Sequence, residues 1–144
     1  MAERPGDPYR NNHFRVLIDG VEGIDFAEVI LPEAMAEIVE YREGGDKGPT
    51  RKLLGAVRYT NLILRRGVTQ SGDLFAWWRN IANGVSDRRN VAVVLLDNEL
   101  TEVKRWVLVN AWPCRFAVSP LIAPGEATVL VETLECAVEL LDQA

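Results

Sequence analysis

Reactive side chains are scarce in this chain. Of its 144 residues, one is histidine and two are cysteine. His13 has no second His or Cys at a ligand spacing, so no zinc site can be read. It comes just before a strand, and no Gly-x-Ser-x-Gly occurs, which leaves nucleophilic catalysis without a placed base. Cys114 and Cys136 sit in apolar, strand-like surroundings; two buried free thiols are expected rather than a disulfide. No apolar run reaches the ~18 residues of a membrane span, so no stable membrane anchoring is expected. The opening MAERPGDPYRNN is polar and carries prolines, unlike a signal or transit peptide. The expectation is a protein made in the cytoplasm without Sec-type export. Cations are also in the minority, 16 Lys and Arg against 21 Asp and Glu. That net charge of -5 argues against a nucleic-acid binder while leaving a local basic patch open. Internal repeats and linkers are missing too. Residues 1–12 read as an N-terminal arm and 13–144 as a single domain.

What the chain does have is alternation. Phe14, Val16 and Ile18 alternate with His13, Arg15 and Asp19, the period of a half-buried strand. Ile24, Phe26 and Val29–Leu31 read as a second strand, broken by Pro32; residues 34–43 resume in extended form. The segment 56–67 reads as one strand, with Val57, Tyr59 and Ile63 on one face and Leu62 and Leu64 on the other. Apolar residues on both faces predict cover on both sides. The period then changes. Leu74, Trp77, Trp78 and Ile81 fall at i, i+3, i+4 and i+7, one face of a helix over about 72–83 that packs on the sheet. Ser71 is the expected N-cap and Asn83-Gly84 the stop.

Residues 90–98 form a continuous apolar run of strand length, a central strand. Residues 102–112 are its partner, ended by Pro113, with 114–119 readable as a short strand beyond a bend. Trp106 and Trp112 are expected on the same face. Residues 127–141, from Ala127, form the last extended segment; its tail from Glu135 is equally readable as helix. Glu132 interrupts the apolar face of that segment. Glu132 and Glu135 are expected on a solvated strand face or at a subunit contact. The fold class is mainly β, a two-sheet β-sandwich or barrel with one helix.

One stretch fits none of this: VEYREGGDKGPTRKLLG, from Val39 to Gly55. Its glycines and lysines resemble a phosphate loop. However, no Gly-Lys-Ser/Thr occurs, Pro49 removes a donor, and a strand rather than a helix follows. It is read as an extended loop over 43–55. Arg42, Lys47, Arg51 and Lys52 face Glu40, Glu43 and Asp46 in number. Such balance suits a solvated hairpin tip, and equally pairing with a copy of the same chain.

Several segments resemble one family. FRVLIDG, FAEV and EYREGG in order, then RKLLGAVRYTNLILRRG, LFAWW, VKRWVLVNAWP and the closing ATVLVETLECAVELL, are similar to the segments of contractile-tail tube proteins. The resemblance covers His13 to about Leu141. Leu54 stands where proline is usual, and Cys114 where a polar residue is common. The resemblance implies a structural protein without catalysis, cofactor or metal. Hexameric rings would stack into a hollow tube, on a fold related to haemolysin co-regulated protein. It further implies a helix toward the outside and strands lining the lumen. The loop carrying Glu43, Gly44, Gly45, Asp46, Lys47, Arg51 and Lys52 would reach another copy. The implied partners are the chain itself, a sheath protein, baseplate and cap proteins, and DNA or protein cargo that passes without specific binding. The implied location is a phage virion, or a phage tail-like particle released by lysis. Two alternatives are a tube-initiating baseplate paralogue and, in a different class, a small β-barrel ligand-binding module with tryptophans lining its pocket.

Overall fold

The computed structural model describes residues 7–10, 13–21, 25–45, 47–123, 125 and 128–144. Most of the expected N-terminal arm, together with Ile24, Asp46 and Ala127, lies outside the described residues. In chain order the elements are β1 (Phe14–Ile18), β2 (Glu28–Ile30), β3 (Ala34–Tyr41), β4 (Arg51–Tyr59), β5 (Leu62–Gly67), α1 (Asp73–Ala82), β6 (Arg89–Leu96), β7 (Glu102–Val118), β8 (Val131–Ala137) and β9 (Leu140–Gln143). Strands are joined in the order β1-β6-β7-β8-β5-β2, with β9 also on β7 and a separate β3-β4 pair. The path does not close, so the body is a sandwich rather than a barrel. The expected strand 56–67 is in fact two, parted at Thr60–Asn61, and the closing segment is two strands with no helix.

β7 belongs to both layers. Its first part pairs with β6 and β9, and its last part with β8. Pro113 does not end it. The register shifts between Pro113 and Arg115, so no ladder bond is demanded of the missing N–H. Just before, Asn110 takes φ +53 within an irregularity of the β6–β7 register. Its N–H meets Asn90 Oδ1 at 3.2 Å and its side-chain amide donates to Glu139 at 2.8 Å, which holds the left-handed turn in place. The extra residue reverses the facing. Trp106 packs against the core, while Trp112 lines a surface hollow with Ile81 and Val85. The two tryptophans do not share a face.

The core is a ladder of matched pairs. Leu62 lies opposite Cys136 and Leu64 opposite Leu134, all fully buried. Val16 opposes Val93 and Ile18 opposes Val91 on the other sheet. Cys136 and Cys114 are both free. One step along the first ladder, Arg66 opposes Glu132, and this pair is also buried. Glu132 is therefore not on a solvated face: it points inward and accepts from Arg66 Nε. The alternation that carries Leu134 and Cys136 inward carries Glu132 with them, and Arg66 compensates.

The helix seats by one tryptophan. Leu74 and Trp77 are fully buried, and Trp78 and Ile81 flank them half-buried. Trp77 donates its indole N–H to Asp87 O at 2.8 Å, and the Arg89 guanidinium lies 4.9 Å over its ring. The N-cap is Gly72, not Ser71, and no side chain caps the helix. The Ser71 N–H instead meets Thr69 Oγ1 at 3.2 Å, which commits Ser71 to the preceding turn. Asp73 supplies the favourable acid in the first turn, and Gly84 at φ +82 follows the C-cap Asn83.

Two measurements follow from these charges. Glu132→Ala leaves Arg66 buried without its carboxylate and should cost about 3–5 kcal/mol in chemical denaturation, whereas Arg66→Met with Glu132→Leu should recover most of that loss. The Asp87 carboxyl is held below its usual 3.8 by the hydrogen bond from Arg89, helped by Asn80 and the Arg89 charge, against desolvation. A lowered carboxylate stabilises above its unfolded value and loses that stabilisation as pH falls through the folded value. Asp87→Asn should thus cost about 1–2 kcal/mol at pH 7, and the gap to the parent should close below pH 3.8.

Candidate functional site

β3 and β4 pair only with each other among the described residues. They continue β2 and β5 past a bend at 31–33 and 60–61. Buried Pro32 interrupts the first strand of this ribbon. Across the bend, Thr60 N–H donates to Glu33 O at 3.0 Å and Glu33 N–H donates to Thr60 Oγ1 at 2.7 Å. The result is an arm of roughly 25 Å, from eight residues at ~3.3 Å each. All eight residues of β3 are exposed, as are seven of the nine in β4.

The register assigns its faces. Ala34, Ala36 and Ile38 oppose Tyr59, Val57 and Leu54 on one face; Met35 and Val39 oppose Arg58 and Leu53 on the other. An irregularity between Ala36 and Ile38 gives β4 one extra residue there. Gly55 sits at that point because a Cβ would lie 3.0 Å from Val39 Cγ2 and 3.1 Å from both Glu37 Cβ and Glu37 O. Both faces carry branched apolar side chains, with Leu54 75% and Ile38 62% exposed. A two-stranded ribbon is marginal in water alone, and apolar area on this scale marks a contact surface.

The charged residues expected to make the contact sit at the far end. The turn spans 42–50, shorter than the expected loop, because Arg51 and Lys52 already belong to β4 opposite Tyr41 and Glu40. Glu43, Gly44, Gly45 and Lys47 are at the exposed tip, and Asp46 is outside the described residues. Gly45 takes φ +86, and Arg42 Nη2 donates to Gly48 O at 2.7 Å, which folds the tip back. Glu37 pairs with Arg58 at 3.5 Å lower down. Leu74, Trp77, Trp78 and Ile81, by contrast, serve the fold and not this surface.

The residues missed from sequence are the apolar ones: Met35, Ile38, Val39, Leu53, Leu54 and Val57. Of these, only Val57 falls in the segment 56–67, where apolar residues on both faces predicted cover on both sides; the residues of the second face, Leu62 and Leu64, belong to β5 and are fully buried. Among the described residues, no group of three or more His, Cys, Asp and Glu is placed to hold a metal, and no helix is long and apolar enough to cross a membrane.

Among the described residues the sandwich has open edges and carries an exposed two-stranded arm. The family model of T4-like virus tail tube protein gp19 matches residues 10–142, and the chain belongs to that family. It is a tail tube protein. Among solved structures, it is similar to a chain of the anti-feeding prophage baseplate at 25% identity, covering 96% of this chain and 97% of that one with a TM-score of 0.83. A chain of the PVC sheath-tube complex, an extracellular contractile injection system in its extended state, gives 23% identity, 96% and 93% coverage and a TM-score of 0.85. Hcp1 from Flavobacterium johnsoniae shares the fold more distantly, at 14% identity, 90% and 93% coverage and a TM-score of 0.56. No curated protein matches the chain.

Gly55→Val should force the two strands of the arm apart at the bulge. The expected outcome is an unchanged melting temperature of the body with increased protease cutting between Ala34 and Tyr59. A cutting pattern equal to the parent's would show that the arm has room for the side chain.

Proposed function

We propose that this chain is the inner tube subunit of a contractile tail or injection machine. Six copies close into a ring, rings stack into a hollow tube, and sheath contraction drives the tube through a target envelope. The work is mechanical and needs no catalysis. The observation that carries this reading is the arm, apolar on both faces and covered on neither. Such a ribbon holds its shape when other copies lie against it. The open path of paired strands supports the same reading, because a ring supplies each free edge with a neighbour.

The partners follow from the role. Sheath, baseplate and cap proteins meet the tube along its length and at its ends. DNA or protein cargo passes through the lumen without specific binding, and the net charge of -5 disfavours retention of an acidic cargo. The particle is a phage or a phage tail-like device made in the cytoplasm and released by lysis. The likeness to a baseplate chain favours one second reading, a paralogue that starts the tube. The two differ in extent of growth: a main tube subunit polymerises alone into long tubes, while an initiator stops at one or two rings.

Negative-stain microscopy of the concentrated protein should show rings and tubes; a strictly monomeric protein would overturn the proposal. Arg51→Glu with Lys52→Glu reverses two charges near the arm tip. It should weaken stacking without unfolding the monomer, read as fewer and shorter tubes at equal concentration.

A further inference from the structure

The sheet β7-β8-β5-β2 has two unlike ends, and its register fixes which is which. Leu62 of β5 lies opposite Cys136 of β8, and Gly67 lies opposite Val131. The arm leaves from the Leu62 end, through the bend at 60–61. The connection between β7 and β8 leaves from the other end. There Ser119 N–H donates to Val131 O at 2.8 Å, and Val131 N–H donates to Ser119 Oγ at 2.9 Å. Six residues of β5 at ~3.3 Å each set the two ends roughly 20 Å apart.

Apolar side chains gather at this second end. Val68 N–H donates to Leu130 O at 2.8 Å, and Val129 lies close to Gly67, where an added Cβ would meet its Cγ1 at 3.7 Å. Leu121 and Val129 each stand two residues from the Ser119–Val131 closure. Leu121, Ile122 and Val129 are 82%, 80% and 79% exposed, more than any other large apolar side chain among the described residues. The arm is matched in kind. Its face of Ala34, Ala36 and Ile38 opposite Tyr59, Val57 and Leu54 carries no charge along that length. The opposite face is interrupted by the Glu37–Arg58 pair. Charge is matched as well. Residues 34–59 hold five Lys and Arg against four Asp and Glu, whereas 67–73 and 118–131 hold two acids and no Lys or Arg. Two apolar surfaces at opposite ends of one sheet, unequal in charge, fit a second copy of this chain set end to end with the first. A partner of another kind would explain one surface and leave the other. Such a contact is heterologous and runs along the strands, so it repeats from copy to copy without closing.

We infer that the uncharged face of one subunit's arm lies against Leu121, Ile122 and Val129 of a subunit in the next ring. This rests on the tube reading above and names the surface that receives the arm. The contact takes the exposed apolar side chains of both ends out of water together. Charge sets its direction, because an arm with a surplus of cations meets an end whose connections have none.

The test uses the full chain in a Cys114→Ser background, where the remaining Cys136 is fully buried. Leu54→Cys is combined with Ile122→Cys, and a short bifunctional maleimide is added to single rings and to stacked tubes. The expected result from tubes is a covalent ladder on a denaturing gel that runs past the copy number of one ring. Single rings should give no ladder, and neither should either single-cysteine variant. Leu121→Ser with Ile122→Ser should raise the concentration needed for tubes by more than about tenfold, with ring formation and the melting temperature of the monomer unchanged. A ladder already present in single rings would put the arm on a neighbour of the same ring and overturn the contact. Tubes that give no ladder, or that grow as readily with the two serines, also overturn it; each of these results leaves the tube reading intact. Failure of the parent chain to form tubes removes both proposals.

Discussion

Everything in the body hangs on one strand being in two sheets. β7 runs from Glu102 to Val118 and hands its pairing from β6 and β9 to β8 at the turn around Asn110. A sandwich built from separate strands must hold its layers together by side-chain packing alone. Here the backbone itself crosses between them. The crossing is fixed by polar bonds: Asn90 and Glu139 grip Asn110, and Arg88 pairs with Glu139 from outside. The helix then closes over the corner, with Trp77 inside and Phe75 set edge-on to Phe116 at 5.2 Å. The matched ladder of Leu62, Leu64, Leu134 and Cys136 falls into register only because β7 delivers β8 to the right place.

Much of this was legible because period-two and period-3.6 patterns report burial directly. Leu74 and Trp77 announced the buried face of the helix, and Val16, Ile18, Leu62 and Leu64 announced theirs. Where the pattern misled, a single extra residue or a compensating charge was responsible. One residue at the bulge before Ala111 turned Trp112 away from the face of Trp106. Pro113 looked like a terminus, yet it falls where the ladder asks nothing of its nitrogen. Glu132 looked solvated because its partner, Arg66, lies 66 residues away in the chain. Such long-range pairings leave no local trace.

The arm shows the same limit in a different form. Its charged tip drew attention because charge and glycine are conspicuous, while Ile38, Leu54 and Val57 looked like ordinary strand residues. They are ordinary strand residues; what is unusual is that nothing among the described residues covers them. Sequence reports that a residue is apolar, and it does not report whose side chains complete its surroundings. The expectation of cover on two sides took its second face from Leu62 and Leu64, which belong to β5, and so said nothing of the uncovered residues of β3 and β4.

The separation of arm from body has a consequence for timing. The core pairs are satisfied within one chain, whereas the arm is exposed among the described residues. If the arm is covered by other copies, the first ring is the hardest to make, and each later addition finds a surface already presented. Growth of that kind starts from a template and proceeds from one end. A cell can then hold a pool of folded subunits in waiting, and the length of the finished object is decided by whatever begins and stops it rather than by the subunit itself.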